Sequence, residues 1–196
     1  MQVAIINYNA GNIYSVDYAL RRIGIEPVIT ADKDIIRQAD KVIFPGQGEA
    51  NTTMQFLREQ QMDKLIVDLK QPVLGICIGM QLLCKHSEEG NTDCLGIFDA
   101  KVCRFHPRKW EDKVPHMGWN DIYNNRSPLF SGISANEYVY FVHSYYIPLC
   151  RETIATTNYI QAFSAALHKD NFYATQFHPE KSGSTGERIL KNFIAL

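Results

Sequence analysis

The 196-residue chain carries 20 Lys and Arg against 21 Asp and Glu, for a net charge of −1, and is 45% hydrophobic and 21% charged. These are the proportions of a soluble globular protein with a real core, read as one domain over 1–196. They lack the charge excess that would point to nucleic acid or a membrane surface as partner, and the basic group Arg104, Arg108 and Lys109 reads as a solvated loop.

No apolar run approaches the about 20 residues of a membrane span, and the first residues show no signal-type apolar stretch. The five cysteines form no C-x-x-C pair and their number is odd, which argues against a disulfide framework or a structural zinc. The expectation is a reduced, cytoplasmic chain with no metal and no cofactor.

In chain order, the β-branched run Val3-Ala4-Ile5-Ile6 predicts a buried strand, followed by the polar turn Asn7-Tyr8-Asn9-Ala10-Gly11-Asn12. Ile13, Val16, Ala19, Leu20 and Ile23 recur at helical spacing, and Gly24 caps that helix. Pro27-Val28-Ile29 and Lys41-Val42-Ile43-Phe44 predict two more strands. Residues 51–69 predict one helix carrying Met54, Leu57, Leu65 and Leu69. Strands alternating with helices call for βαβ units and a parallel sheet.

The second half differs in texture. Lys101-Val102-Cys103, Tyr138-Val139-Tyr140-Phe141-Val142, Thr153-Ile154-Ala155 and Phe163-Ser164-Ala165-Ala166-Leu167 are short strand-like runs between polar turns. They predict antiparallel additions to the parallel sheet. A last strand over residues 172–177 and a terminal helix from about Gly186 complete the chain. The fold class expected is α/β: a mixed, mainly parallel sheet flanked by helices with antiparallel additions.

Two stretches carry chemistry. In Gly75-Ile76-Cys77-Ile78-Gly79 an apolar strand stops at a cysteine flanked by glycines, with Met80, Leu82 and Leu83 opening a helix. This is the G-x-nucleophile-x-G elbow with cysteine in place of serine. The sharp turn strains the nucleophile and requires small neighbours, and the helix N-terminus favours an anion there. In isolation, such a pentapeptide is more often a buried structural cysteine.

The second stretch is His178-Pro179-Glu180 at the end of an apolar strand. Residues two apart in extended chain share a side, so a carboxylate can hold the imidazole as in any nucleophile–base–orienter triad. Together the two stretches predict acyl transfer through a thioester, with Cys77 as nucleophile and His178 as acid and base. The backbone N–H of Ile78 and one from the 46–48 loop would form the oxyanion hole. Pro45-Gly46-Gln47-Gly48 lacks the third glycine of a dinucleotide fingerprint and the Lys-Ser/Thr of a P-loop.

The combination of Pro45-Gly46-Gln47-Gly48, Gly75-Ile76-Cys77-Ile78-Gly79-Met80-Gln81 and His178-Pro179-Glu180 resembles the class I (triad) glutamine amidotransferases. Asn7-Tyr8-Asn9-Ala10-Gly11-Asn12, Pro115-His116-Met117-Gly118-Trp119-Asn120, Tyr140-Phe141-Val142-His143-Ser144-Tyr145 and Lys181-Ser182-Gly183 are similar to the branch of that family serving histidine biosynthesis. The resemblance implies hydrolysis of glutamine to glutamate and ammonia. It also implies a heterodimer with a (β/α)8-barrel cyclase subunit that takes the ammonia through a tunnel.

By the same resemblance, Cys77, His178 and Glu180 are the triad, and Gln47 and Ile78 the oxyanion-hole positions. Gly48, Gln81, Glu89, His143, Ser144 and Tyr145 hold glutamine, with Glu89 suited to its α-ammonium. Asn12, Met117, Trp119, Tyr140 and Lys181 face the partner. The chain departs from the family pattern at Gln47, usually valine, and at Ile78, usually leucine. The rival readings are a glutaminase serving another synthase, a free-standing cysteine hydrolase, and a regulatory subunit on an amidotransferase scaffold.

Overall fold

The computed structural model describes residues 1–8, 13–46 and 48–196. The first half builds β1 (Val3–Ile6), α1 (Ile13–Arg22), β2 (Val28–Thr30), α2 (Lys33–Gln38), β3 (Lys41–Phe44), α3 (Ala50–Glu59), α4 (Met62–Asp68), β4 (Val73–Ile76) and α5 (Ile78–Leu82). The second half adds β5 (Cys84–Ser87), β6 (Thr92–Asp93), β7 (Phe98–Arg104), β8 (His116–Ile122), β9 (Glu137–His143), β10 (Tyr145–Tyr146), β11 (Thr153–Tyr159), β12 (Gln161–Lys169), β13 (Phe172–Thr175) and α6 (Gly183–Ala195).

The main sheet has the order β11-β12-β13-β4-β3-β1-β2. Its pairs from β13 to β2 are parallel, and β11 and β12 are antiparallel. Strands β1, β3, β4 and β13 are buried at every residue, as a parallel sheet covered on both faces requires. Alternation sends Ala4, Ile6, Val42 and Val73 to one core with Ile36, Met54, Leu57 and Leu65 of α2, α3 and α4. Val3, Ile5, Ile43 and Leu74 go to the other core, with Val16 and Leu20 of α1 and Ile189, Leu190 and Phe193 of α6.

Three features differ from expectation. The helix predicted over 51–69 is two helices, because Gln61 turns left-handed with φ 54 between them. Helix α2 has a sequence pattern too short to register, with only Ile36 buried, and it starts at Asp32, whose carboxylate accepts from the Asp34 and Ile35 N–H groups. The antiparallel strands do not all join the parallel sheet: β11 and β12 do, whereas β7 sits in a four-stranded sheet with β10, β5 and β6, and β9 pairs only with β8.

Candidate active site

Strand β4 runs through the middle of the sheet and stops at Cys77, whose φ of 51 and ψ of −109 are strained for an L residue. Glycines make room for this turn. A Cβ on Gly75 would lie 2.7 Å from Leu83 Cδ1 and 3.0 Å from the Gly79 carbonyl carbon. One on Gly79 would strike the Phe44 carbonyl oxygen, and one on Gly46 would strike that of Ile76 and lie 2.7 Å from Ile78 N. The end of β3, the elbow and the start of α5 therefore meet backbone to backbone.

That contact sets the Ile78 N–H, in the first turn of α5 where no intrahelical acceptor exists, beside the loop that follows β3. The Tyr8 hydroxyl donates to the Pro45 carbonyl, and its ring stands edge-on to Phe44 at 5.3 Å. Gly48 takes φ 133, which favours glycine. The expected oxyanion position Gln47 lies outside the described residues.

Parallel pairing of β4 with β13 brings the second half of the site to the same sheet edge. Ile76 is in register with Thr175, and Cys77 N donates to the Thr175 carbonyl at 2.8 Å. The last strand ends at Thr175 rather than at Phe177, and Pro179–Lys181 form a 3-10 turn. The expectation that His178 and Glu180 share one side of extended chain is therefore corrected. Proline holds φ near the helical value at the first position of the turn, and the turn swings Glu180 back under the imidazole.

His178 Nδ1 lies 2.7 Å from Glu180 Oε1, with both side chains almost fully buried. An ionised carboxylate only accepts, so Nδ1 carries the proton and Nε2 is the working nitrogen. Among the described residues Nε2 makes no hydrogen bond, and the Cys77 sulfur is among the groups that favour a proton on this ring. Burial opposes a charge on His178, while the Cys77 sulfur and Glu180 favour it and win, raising its pKa to about 10. The backbone of His178 is anchored to β9: its N–H donates to Tyr140 O at 2.9 Å. Ser182 Oγ donates to His178 O and accepts from Tyr140 N.

Cys77 is 9% exposed. Its sulfur lies 3.8 Å from Val142 O, which accepts from the thiol, and 3.7 Å from Gln176 Nε2. Sequence reasoning missed Gln176. A polar residue interrupting the apolar run before His178 was the available signal, and the β4–β13 register is what sets it across from Cys77. Burial pushes up the thiols of Cys84, Cys94, Cys103 and Cys150, that of Cys94 to about 12.

The structure gives the expected glutamine-holding residues unequal freedom. Gln81 is buried, and its Nε2 donates to Tyr145 O at 3.1 Å and Gln176 Oε1 at 3.0 Å, leaving its own oxygen without a hydrogen bond among the described residues. His143 is buried with both ring nitrogens engaged, by Tyr145 O at 2.6 Å and by His116 Nδ1 at 3.0 Å. Burial lowers its pKa to about 3 and that of His116 to about 4. His143 therefore contributes as a neutral support for the 144–145 segment.

Glu89 sits in the 3-10 turn Glu89–Asn91 and accepts from Ala50 N with one carboxylate oxygen at 2.8 Å. Its pKa is raised by burial, opposed by that N–H. Ser144 and Tyr145 are half-buried at the start of β10, where Ser144 O receives the Phe105 N–H.

The expected partner face lies on one side of the β8–β9 pair. Met117 and Trp119 are 63% and 55% exposed and Tyr140 is half-buried, while the alternate residues Val139 and Phe141 are buried. Trp119 is opposite Tyr140, their rings 6.0 Å apart and edge-on. Lys181 is half-buried in the turn after His178. Asn12 lies outside the described residues.

Comparison with known proteins agrees with this geometry. Solved structures with the same fold include a putative GMP synthase subunit from Thermoplasma acidophilum, 22% identical with a TM-score of 0.77, covering 100% of this chain and 92% of that one. A glutamine amidotransferase, 19% identical, has a TM-score of 0.75 over 98% and 97% of the two chains. Imidazole glycerol phosphate synthase subunit HisH of Bacteroides fragilis (strain YCH46) is 67% identical over 196 residues, and that of Escherichia coli (strain K12) 46% over 200, each covering 100% of both chains. The family description "Glutamine amidotransferase class-I" matches residues 4–196. With the match spanning elbow, loop and His178–Glu180 turn alike, the chain belongs to the class-I glutamine amidotransferase family.

Proposed function

We propose that this chain is the glutaminase subunit of imidazole glycerol phosphate synthase, the name its relatives carry over their full length. It is a glutamine amidotransferase, working in histidine biosynthesis with a partner subunit. The reaction begins with transfer of the Cys77 thiol proton to His178 Nε2 and attack of the thiolate Sγ on the side-chain amide carbon of glutamine. The Ile78 N–H and the 46–48 loop, with Gln47, receive the developing oxyanion. His178 Nε2 hands its proton to departing ammonia, leaving a γ-glutamyl thioester. It then takes a proton from the water that releases glutamate. Glu180 keeps Nδ1 protonated and steadies the imidazolium. The 2.7 Å contact between the buried His178 and Glu180 side chains, on the sheet edge that also carries Cys77, carries this assignment.

Gly48, Gln81 through its oxygen, Glu89 through its free carboxylate oxygen, and the 143–145 segment are the groups we assign to glutamine. The partner we assign is a (β/α)8-barrel cyclase that turns the ammonia and the ribulosyl nucleotide intermediate PRFAR into imidazole glycerol phosphate and AICAR. Asn12 and Lys181 are assigned to the same partner, and the apolar face of Met117, Trp119 and Tyr140 supports docking there. It is continuous with the active site, because Tyr140 O receives the His178 N–H. The whole heterodimer would work in the cytoplasm. Among the described residues no helix is long and apolar enough to cross a membrane.

The test is glutamate release from glutamine by the chain alone and with the cyclase barrel plus its nucleotide ligand. Low release alone and a large rise in the complex are expected. High release alone would mean a free-standing amidase. No release in either case would remove the assignment.

A further inference from the structure

We infer that Gln176 is a further catalytic residue: its side-chain amide donates to Cys77 Sγ and favours the thiolate, while Gln81 dictates which end of that amide faces the sulfur. The inference rests on Cys77 being the nucleophile. Gln176 is completely buried, and its Nε2 lies 3.7 Å from Cys77 Sγ.

The orientation follows from atoms that cannot be flipped. Tyr145 O is a backbone acceptor, so the nitrogen end of the Gln81 amide must face it, at 3.1 Å. That same nitrogen faces Gln176 at 3.0 Å, so Gln176 must present its oxygen there and its nitrogen to the sulfur. Tyr145 O is itself held by His143 Nδ1–H at 2.6 Å. This makes His143 Nε2 an acceptor for His116 Nδ1–H at 3.0 Å. Burial keeps both imidazoles neutral, so the tautomers that hold the chain of bonds persist through the neutral range.

The sulfur needs such a donor. Val142 O, 3.8 Å away, is compatible with a thiol but repels a thiolate. A buried amide N–H aimed at the sulfur reverses that preference, because a hydrogen bond to a charged acceptor is stronger than one to a neutral acceptor.

The experiment compares wild type with Gln176→Glu, which keeps shape and an acceptor for Gln81, and Gln176→Leu, which removes the donor without adding charge. Iodoacetamide alkylation of Cys77 is followed at pH 7 and pH 9.5, with Cys77→Ala subtracting the other thiols. At pH 7 the rate should fall about tenfold for Leu and further for Glu, and for Leu should approach wild type at pH 9.5. Glutamine KM should change little compared with kcat.

Wild-type rates at pH 7 in both variants, or an equal loss at both pH values, overturn the inference. If Leu fails to fold, Glu alone decides. Glutamine hydrolysis surviving in Cys77→Ala would instead overturn the proposed function, so the two failures are separable.

Discussion

Cys77 occupies a backbone conformation that an L residue adopts only under constraint, so part of the stability of the fold is given up at this position. Replacing it in two ways measures that cost. Cys77→Ala removes the sulfur but keeps a Cβ at φ 51 and ψ −109; Cys77→Gly removes both. The sulfur's contacts with Val142 O and Gln176 Nε2 are lost equally, so the difference reports the backbone. Strain at such a position is worth about 2 kcal/mol, and glycine loses roughly 0.7 kcal/mol more chain entropy on folding than alanine. Gly is then more stable than Ala by about 1.3 kcal/mol, or about 3–5 °C in melting temperature for a chain of this size. Urea unfolding of both variants in one buffer, monitored by circular dichroism, makes the measurement. Equal stability, or a less stable glycine variant, would refute the view that the elbow is held against its own preference by the Gly46, Gly75 and Gly79 contacts.

Other outcomes can be stated from the same geometry. Glu180→Gln leaves the turn intact but removes the anion holding His178 Nδ1–H, so glutaminase kcat should drop by about 10³-fold or more with KM within a few-fold; steady-state kinetics in the complex reads this directly. Gly79→Ala drives a methyl into the Phe44 carbonyl oxygen, which should cost about 1–3 kcal/mol in urea unfolding and depress activity by shifting the loop after β3. His143 and His116 have folded pKa values lowered to about 3 and 4. Their contribution to stability is full above the unfolded value of about 6.5 and is lost as pH falls toward the folded values. Unfolding free energy between pH 6.5 and 4 should therefore fall more steeply in wild type than in His116→Asn. His178 has the opposite sign: raised to about 10, it stabilises fully below about 6.5 and loses that contribution as pH rises through about 10. A histidine titration by NMR should find its midpoint well below 10 in Cys77→Ala, and an unchanged midpoint would remove the sulfur as a cause.

The site was legible in outline because its two halves are local signals. Glycines flanking Cys77 report the sharp turn, and His178-Pro179-Glu180 reports a base and its orienter within three residues. The parallel sheet was legible from apolar runs such as Val3–Ile6, buried on both faces. The α3–α4 break was not, because Gln61 enters the left-handed region without glycine or asparagine to announce it.

By itself, then, the sequence determined the candidate nucleophile and base, the elbow and the alternation that assigns β1 and β3 to two cores, since each is encoded in residues a few positions apart. Only the tertiary structure decided that Gln176 faces the sulfur, that Gln81 is committed to Gln176 and Tyr145, and that Glu180 reaches His178 from a 3-10 turn. It also decided that β8 and β9 form their own pair with one apolar face open. Gln176 and Cys77 are 99 positions apart, and Gln81 and Tyr145 are 64 apart. Contacts across such separations depend on which strands pair and in what register, and no short stretch of chain carries that information.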